Sequence, residues 1–163
     1  MRVIGLAGWS GAGKTTLVAR LIPVLAARGL RVSTVKHAHH GVDVDQEGKD
    51  SWVHREAGAQ EVLVASPRRW ALMHELREDA EPSLEALLAR LSPVDLVIVE
   101  GWRRGGHVKI EVHRAALGKP LLQPGDTAIA AVASDGALPG LTVPWLHLDD
   151  VGGIAAAVVR LAA

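Results

Sequence analysis

A chain of 163 residues, 48% hydrophobic and with a mean hydropathy of +0.18, can build a packed core, which excludes a disordered polypeptide. Eighteen basic residues balance eighteen acidic ones, so no net charge draws the chain to nucleic acid or to an anionic membrane. The absence of cysteine excludes disulfides and thiolate metal sites. In chain order, Arg2 to Ala7 reads as a buried strand. Its short apolar run does not suit a signal peptide, and no apolar stretch reaches the ~18 residues of a membrane helix, so a cytoplasmic location is expected. A glycine-rich loop leads into a helix from Lys14 to Arg28, with Leu17, Val18, Leu21, Ile22 and Leu25 on one face and Pro23 as a kink. Leu30 to Lys36 is a second strand, followed by a polar loop. Lys49 to Ala57 is a short helix, Glu61 to Ala65 and Trp70 to Leu76 are strands, and Ser83 opens a helix carrying Leu84, Leu87, Leu88 and Leu91. Asp95 to Val99 is a strongly apolar strand. His107 to His113 alternates apolar with charged residues, which predicts a half-buried strand near a sheet edge. Thr127 to Ala133 is a further buried strand, and Asp150 caps a last helix striped by Ile154, Val158 and Leu161. This alternation predicts one domain over 1–163, an α/β fold with helices on both faces of a mostly parallel sheet and an added edge hairpin.

The glycine-rich loop, Gly8-Trp9-Ser10-Gly11-Ala12-Gly13-Lys14-Thr15, matches the phosphate-binding pattern G-x-x-x-x-G-K-S/T in full and lies between a predicted strand and a predicted helix. With Gly at about 7% of residues, chance yields such a match in on the order of 1 in 100 chains of this length. The fold class is therefore the three-layer sandwich of P-loop NTPases. Ser10, Gly11, Ala12 and Gly13 form the cradle, whose backbone N–H groups and helix dipole attract phosphate. Lys14 neutralises the outer phosphates, Thr15 supplies a hydroxyl for Mg²⁺, and Thr16 can reach another phosphate.

A second acid completes such a metal site. Asp95 and Glu100 flank one predicted strand, about 16 Å apart at ~3.3 Å per residue. Ligands of open parallel sheets bind at the carboxyl ends of strands, which selects Glu100 and rejects Asp95. The same rule brings Lys36, His37, Ser134 and Asp135 to the ligand edge. Asp43, Asp45, Lys49 and Asp50 follow the second strand, where a switch segment can touch a γ-phosphate or its metal. His37, His39 and His40 invite a zinc or nickel reading, against which stand the missing cysteines and the adjacency of His39 and His40. Arg103, Arg104, Lys109 and Arg114 belong either to a site for a phosphate-bearing partner or to a solvated hairpin.

The segments AGWSGAGKTTL, VKHAHHGVDVDQEGKDS, EAGA, ASPRRWALM, LVIVEGW and AVASD, in this order along nearly the whole chain, resemble the MobB family of molybdopterin-guanine dinucleotide biosynthesis adapter proteins. The resemblance implies a GTP-binding, weakly hydrolysing protein that forms a homodimer. It also implies a partner, the guanylyltransferase that attaches GMP to molybdopterin, with molybdopterin itself as a further candidate ligand. The family's phosphate loop falls on Gly11 to Thr16 and its acidic strand end on Glu100. Guanine preference rests on the resemblance alone, because the usual Asn/Thr-Lys-x-Asp signature is missing: the chain contains no asparagine. Asp135 in AVASD can accept from the guanine N1–H and 2-amino group, donors that adenine lacks; a turn-capping role is the alternative. Two other functions compete: a small-molecule kinase or ATP-dependent ligase on the same loop, and a metallochaperone GTPase using His37, His39 and His40. The segments 43–50 and 103–107 are the expected partner contacts.

Overall fold

The computed structural model describes residues 1–38, 43–102 and 105–163. The chain forms two compact units, Met1–His37 with Leu84–Ala163, and Ala38–Ser83.

The first unit is built on a six-stranded sheet. Its strands are β1 (Arg2–Ala7), β2 (Val32–Lys36), β5 (Leu96–Glu100), β6 (Lys109–His113), β7 (Ile129–Ser134) and β8 (Trp145–His147), in the order β2-β5-β1-β6-β7-β8. Every neighbouring pair is parallel. Parallel strands require crossover connections and coverage of both faces, which is why β5 is apolar at Leu96, Val97, Ile98 and Val99 and buries all four. Helices α1 (Lys14–Ala27) and α4 (Val151–Leu161) cover one face. Leu17, Leu21 and Leu25 of α1 pack there with Ile154, Ala155 and Val158 of α4, over Ile4, Ile98 and Ile110. Leu84 of the short helix α3 (Leu84–Leu88) covers Val97 and Val99 on the other face, and Leu121, Leu122 and Leu141 cover Ile129 and Val132. The three-layer α/β arrangement expected of a P-loop fold is present. Asp150 caps α4, its side chain accepting from Gly153 N. No helix among the described residues is long and apolar enough to cross a membrane.

Two expectations are corrected. Strand β6 is not near an edge: it lies between β1 and β7, and all five of its residues are buried. Its charged residues point to matched partners rather than to water. Lys109 Nζ donates to Gly105 O and Asp126 Oδ2, both at 2.9 Å. Glu111 accepts from the backbone N–H groups of Leu122 and Gln123, both at 2.8 Å. The alternation that suggested a solvated face thus records a face closed by loop 114–128. The true edge strand on this side is β8, three residues long and too short to stand out in the sequence. The expected edge hairpin is also displaced. Among the described residues the hairpin is β3 (Glu61–Ala65) with β4 (Trp70–His74), an antiparallel sheet of its own in the second unit.

In that second unit, helix α2 (Asp50–Glu56) carries Arg55, which donates to both carboxylate oxygens of Asp43 at 2.9 and 2.7 Å. Val62 is buried, whereas the paired Leu63 and Leu72 and the strand-end Trp70 stay exposed, Trp70 by 67%.

Candidate nucleotide-binding site

The loop after β1 turns sharply because its glycines allow it. Gly8 has φ +142°, and a Cβ there would run into the carbonyl of Val112 on β6, so only glycine lets the loop lie against its neighbour strand. Gly13, at φ +94°, is the residue before α1 and leaves the helix start without a side-chain cap. The N-terminus of a fourteen-residue helix, with no acidic residue in its first turn, therefore opens into the loop. The Lys14 ammonium bridges the loop, donating to Gly8 O and Trp9 O, both at 2.9 Å.

The two acids of β5 separate as strand geometry requires. Thr15 Oγ1 donates to Glu100 Oε1 at 2.7 Å, so the hydroxyl and the carboxylate meet at the carboxyl end of the sheet. Asp95 lies at the other end and accepts from Arg31 through its backbone N at 2.8 Å and its Nε at 3.2 Å. The Arg31 side-chain hydrogen bond, and then the backbone one, hold the Asp95 carboxyl below its ordinary value. Lys36 is in register with Glu100 on the neighbouring strand, and the next residue, His37, donates its backbone N–H to Glu100 O at 2.8 Å. The His37 ring stacks on Trp102 at 4.9 Å between centroids.

On the opposite flank of β1, Asp135 follows β7 and is joined to the segment after β6. Ala115 N donates to its Oδ1 at 3.4 Å, and Arg114 Nη1 lies 3.6 Å from its Oδ2. Ser134, also expected at the site, is fully buried. Its hydroxyl donates to Gly136 O and accepts from Trp145 Nε1, so it ties β7 to β8. Asp45 belongs to the second unit, where its Oδ1 accepts from Gln46 N and Ser51 Oγ. His39, His40, Arg103 and Arg104 lie outside the described residues. Among the described residues no cluster of three or more His, Cys, Asp or Glu forms a metal-binding group.

Sequence reasoning did not foresee how closely the segment after β6 lies to the phosphate-type loop. Leu117 is in contact range of Gly11, Arg114 of Gly13, and Trp9 Nε1 donates to Pro120 O at 2.8 Å. The signal was Arg114 itself, a charged residue at the carboxyl end of what proves to be a central strand.

The family described as Molybdopterin guanine dinucleotide synthesis protein B matches residues 3–135, from the first strand through the acid after β7. The chain belongs to this family. It is 45% identical over 161 residues to the molybdopterin-guanine dinucleotide biosynthesis adapter protein of Escherichia coli K12, covering 97% of this chain and 91% of that one. It is 44% identical over 133 residues to the protein of the same name in Haemophilus influenzae, covering 82% and 74%. The crystal structure of molybdopterin-guanine biosynthesis protein B (mobB) superposes with a TM-score of 0.77 at 33% identity, covering 98% of this chain and 99% of the other. Bacillus subtilis MobB, at 21% identity and a TM-score of 0.76 over all of this chain and 99% of the other, shares the fold.

Proposed function

We propose that this chain is a GTP-binding adapter with weak GTPase activity that assists the guanylylation of molybdopterin to the guanine dinucleotide cofactor. The observation that carries the nucleotide reading is the 2.7 Å contact of Thr15 with Glu100 beside a complete phosphate-loop pattern. The pathway follows from relatives named as adapter proteins of that biosynthesis.

In this reading the phosphates sit over the start of α1, held by the backbone N–H groups of Gly11 to Thr16 and by the helix dipole. Lys14 leaves the carbonyls of Gly8 and Trp9 for the outer phosphates. Thr15 and Glu100 fit Mg²⁺ because a hydroxyl and a carboxylate are the hard oxygen donors that this ion prefers. The ion would neutralise charge on the phosphates. Asp135 reads the guanine edge, and Lys36 extends the positive edge beside Glu100. Neither the phosphate loop nor the stretch after Glu100 holds a glutamine to orient water, and Gln46 is the nearest by sequence. Hydrolysis should then run at least ~10²-fold below the ~1–100 s⁻¹ of kinases. The bound nucleotide serves to shape a surface for the guanylyltransferase, and the adapter acts as a cytoplasmic homodimer.

The test is reconstitution of dinucleotide cofactor formation from molybdopterin, Mg²⁺-GTP and the transferase, with and without this protein at limiting GTP. A gain in yield with slow turnover by the chain alone is expected. No gain, together with fast turnover by the chain alone, would overturn the adapter reading.

A further inference from the structure

The missing guanine signature leaves one question open. In Asn/Thr-Lys-x-Asp, a cation precedes the base-reading aspartate by two residues; before Asp135 that position holds Ala133, a buried residue of β7. The structure places a cation there from a different strand. Arg114 directly follows β6, the neighbour of β7. Its Nη1 lies 3.6 Å from Asp135 Oδ2, and the next residue, Ala115, donates its backbone N–H to Asp135 Oδ1. The same guanidinium lies against the phosphate loop, where a Cβ on Gly13 would come within 3.4 Å of Arg114 Nε. Arg114 thus touches both the loop and the acid.

Topology separates this cation from the metal side. Thr15 meets Glu100 on the β5 flank of β1, while Arg114 and Asp135 follow β6 and β7 on the other flank. A nucleotide whose Mg²⁺-bearing phosphates lie toward Glu100 extends its base toward Asp135. An ionised carboxylate offers about four acceptor sites. Arg114 and Ala115 address one oxygen each, which leaves a further site on both oxygens, matching the two donors of the guanine edge, N1–H and the 2-amino group.

We propose that Arg114 is a specificity-determining positioning residue: it holds the Asp135 carboxylate in the orientation that reads guanine, and so replaces the lysine of the missing signature. This rests on the nucleotide-binding reading above. Arg114 acts through Asp135, so its loss affects base discrimination beyond any loss of phosphate attraction that all ligands share. An exposed ion pair at this distance contributes little to folding, so the effect is one on recognition.

The experiment compares GTP, inosine triphosphate, which lacks only the 2-amino group, and inorganic tripolyphosphate, each with Mg²⁺, by calorimetric titration. The proteins are the native chain, Arg114→Gln, Arg114→Lys, Asp135→Asn and the double variant Arg114→Gln/Asp135→Asn. The native chain should prefer GTP to inosine triphosphate. Arg114→Gln should cut that preference by about tenfold, equivalent to ~1.4 kcal/mol, and cost tripolyphosphate clearly less affinity than it costs GTP. Arg114→Lys should restore part of the preference and keeps the test decisive if the glutamine variant does not fold. The double variant should discriminate no worse than Asp135→Asn alone. An equal loss of tripolyphosphate affinity would make Arg114 a phosphate ligand and overturn the proposal, as would an unchanged preference or additive losses in the double variant. A native chain that binds tripolyphosphate and GTP without preferring GTP to inosine triphosphate overturns the base-reading role and leaves the phosphate loop standing. A native chain that binds none of the three overturns the nucleotide reading itself.

Discussion

Lys14 in the phosphate-type loop and Lys109 in the sheet interior are held in different ways. At the carboxyl edge, Lys14 is partly exposed and reaches two carbonyls of its own loop. In the sheet interior, level with Gly5 of β1, Lys109 is 2% exposed and bonded to Gly105 O and to the Asp126 carboxylate. The sheet interior satisfies its charges within the chain and contributes stability. The carboxyl edge gathers Lys14, Thr15, Glu100, Arg114 and Asp135 around loops, where charge can be redirected to a ligand.

The sharpest test of this contrast exchanges the two lysines' expected losses. Lys14→Ala should weaken GTP binding by at least about 100-fold while its thermal melt stays close to native. Lys109→Ala should do the reverse. Leaving the Asp126 carboxylate without its buried partner should cost about 3 kcal/mol of stability by urea titration, with GTP affinity retained in the folded protein. A Lys109 variant that loses GTP affinity at full stability would break the comparison.

The two acids of β5 give the next largest effect. Glu100→Gln should slow Mg²⁺-dependent GTP hydrolysis by about tenfold or more. Asp95→Asn, at the other end of the same strand, should change it less than about twofold, because an exposed pair with Arg31 contributes little. The reverse ranking in a turnover assay would mean that the ligand lies at the other edge.

The smallest effect sharpens the sheet interior by its exception. His107 lies there beside Lys109, with both ring nitrogens buried and without a hydrogen-bond partner among the described residues. Burial, and then the Lys109 charge, lower its pKa, against opposing pulls from Asp126 and Glu85. The unfolded chain therefore takes up this proton first. Stability is unaffected well above pH ~6.5 and falls as the pH drops from there toward the lowered folded value. Thermal melts of native protein and His107→Leu between pH 7.5 and 5.5, an interval set about the ordinary imidazole value, should diverge only at the acid end, with the native protein losing more.

Much of the carboxyl edge was legible in the sequence because its chemistry is local. A phosphate-loop pattern specifies its own turn and helix start, and strand direction alone separates Glu100 from Asp95. The interior of β6 was less legible because its partners are distant along the chain. Lys109 and Glu111 looked solvated, since nothing near them in sequence announces Asp126 or the N–H groups of Leu122 and Gln123. Strand β8 was missed at three residues, shorter than any periodicity can signal. The place of Arg114 depends on β6 and β7 being neighbours, a fact of sheet order that no local pattern carries. Ser134 was rightly located at a strand end, yet its hydroxyl turned out to face Gly136 and Trp145.

The sheet order also governs when the phosphate loop can exist during synthesis. Strand β1 is made before both of its neighbours, pairing on one side with β5 and on the other with β6, Arg2 facing Leu96 and Gly5 facing Lys109. Both neighbours belong to the second half of the chain. The Gly8 backbone needs β6 in place to rest against Val112, and α1 needs α4, far downstream of it, to bury Leu21 and Leu25. Such non-local pairing is slow to form. Translation adds ~5–20 residues per second, so the nascent amino terminus spends several seconds as an unpaired apolar strand. The loop is made before the strands that support it, and a chain truncated before His113 would leave β1 without β6 and expose that strand.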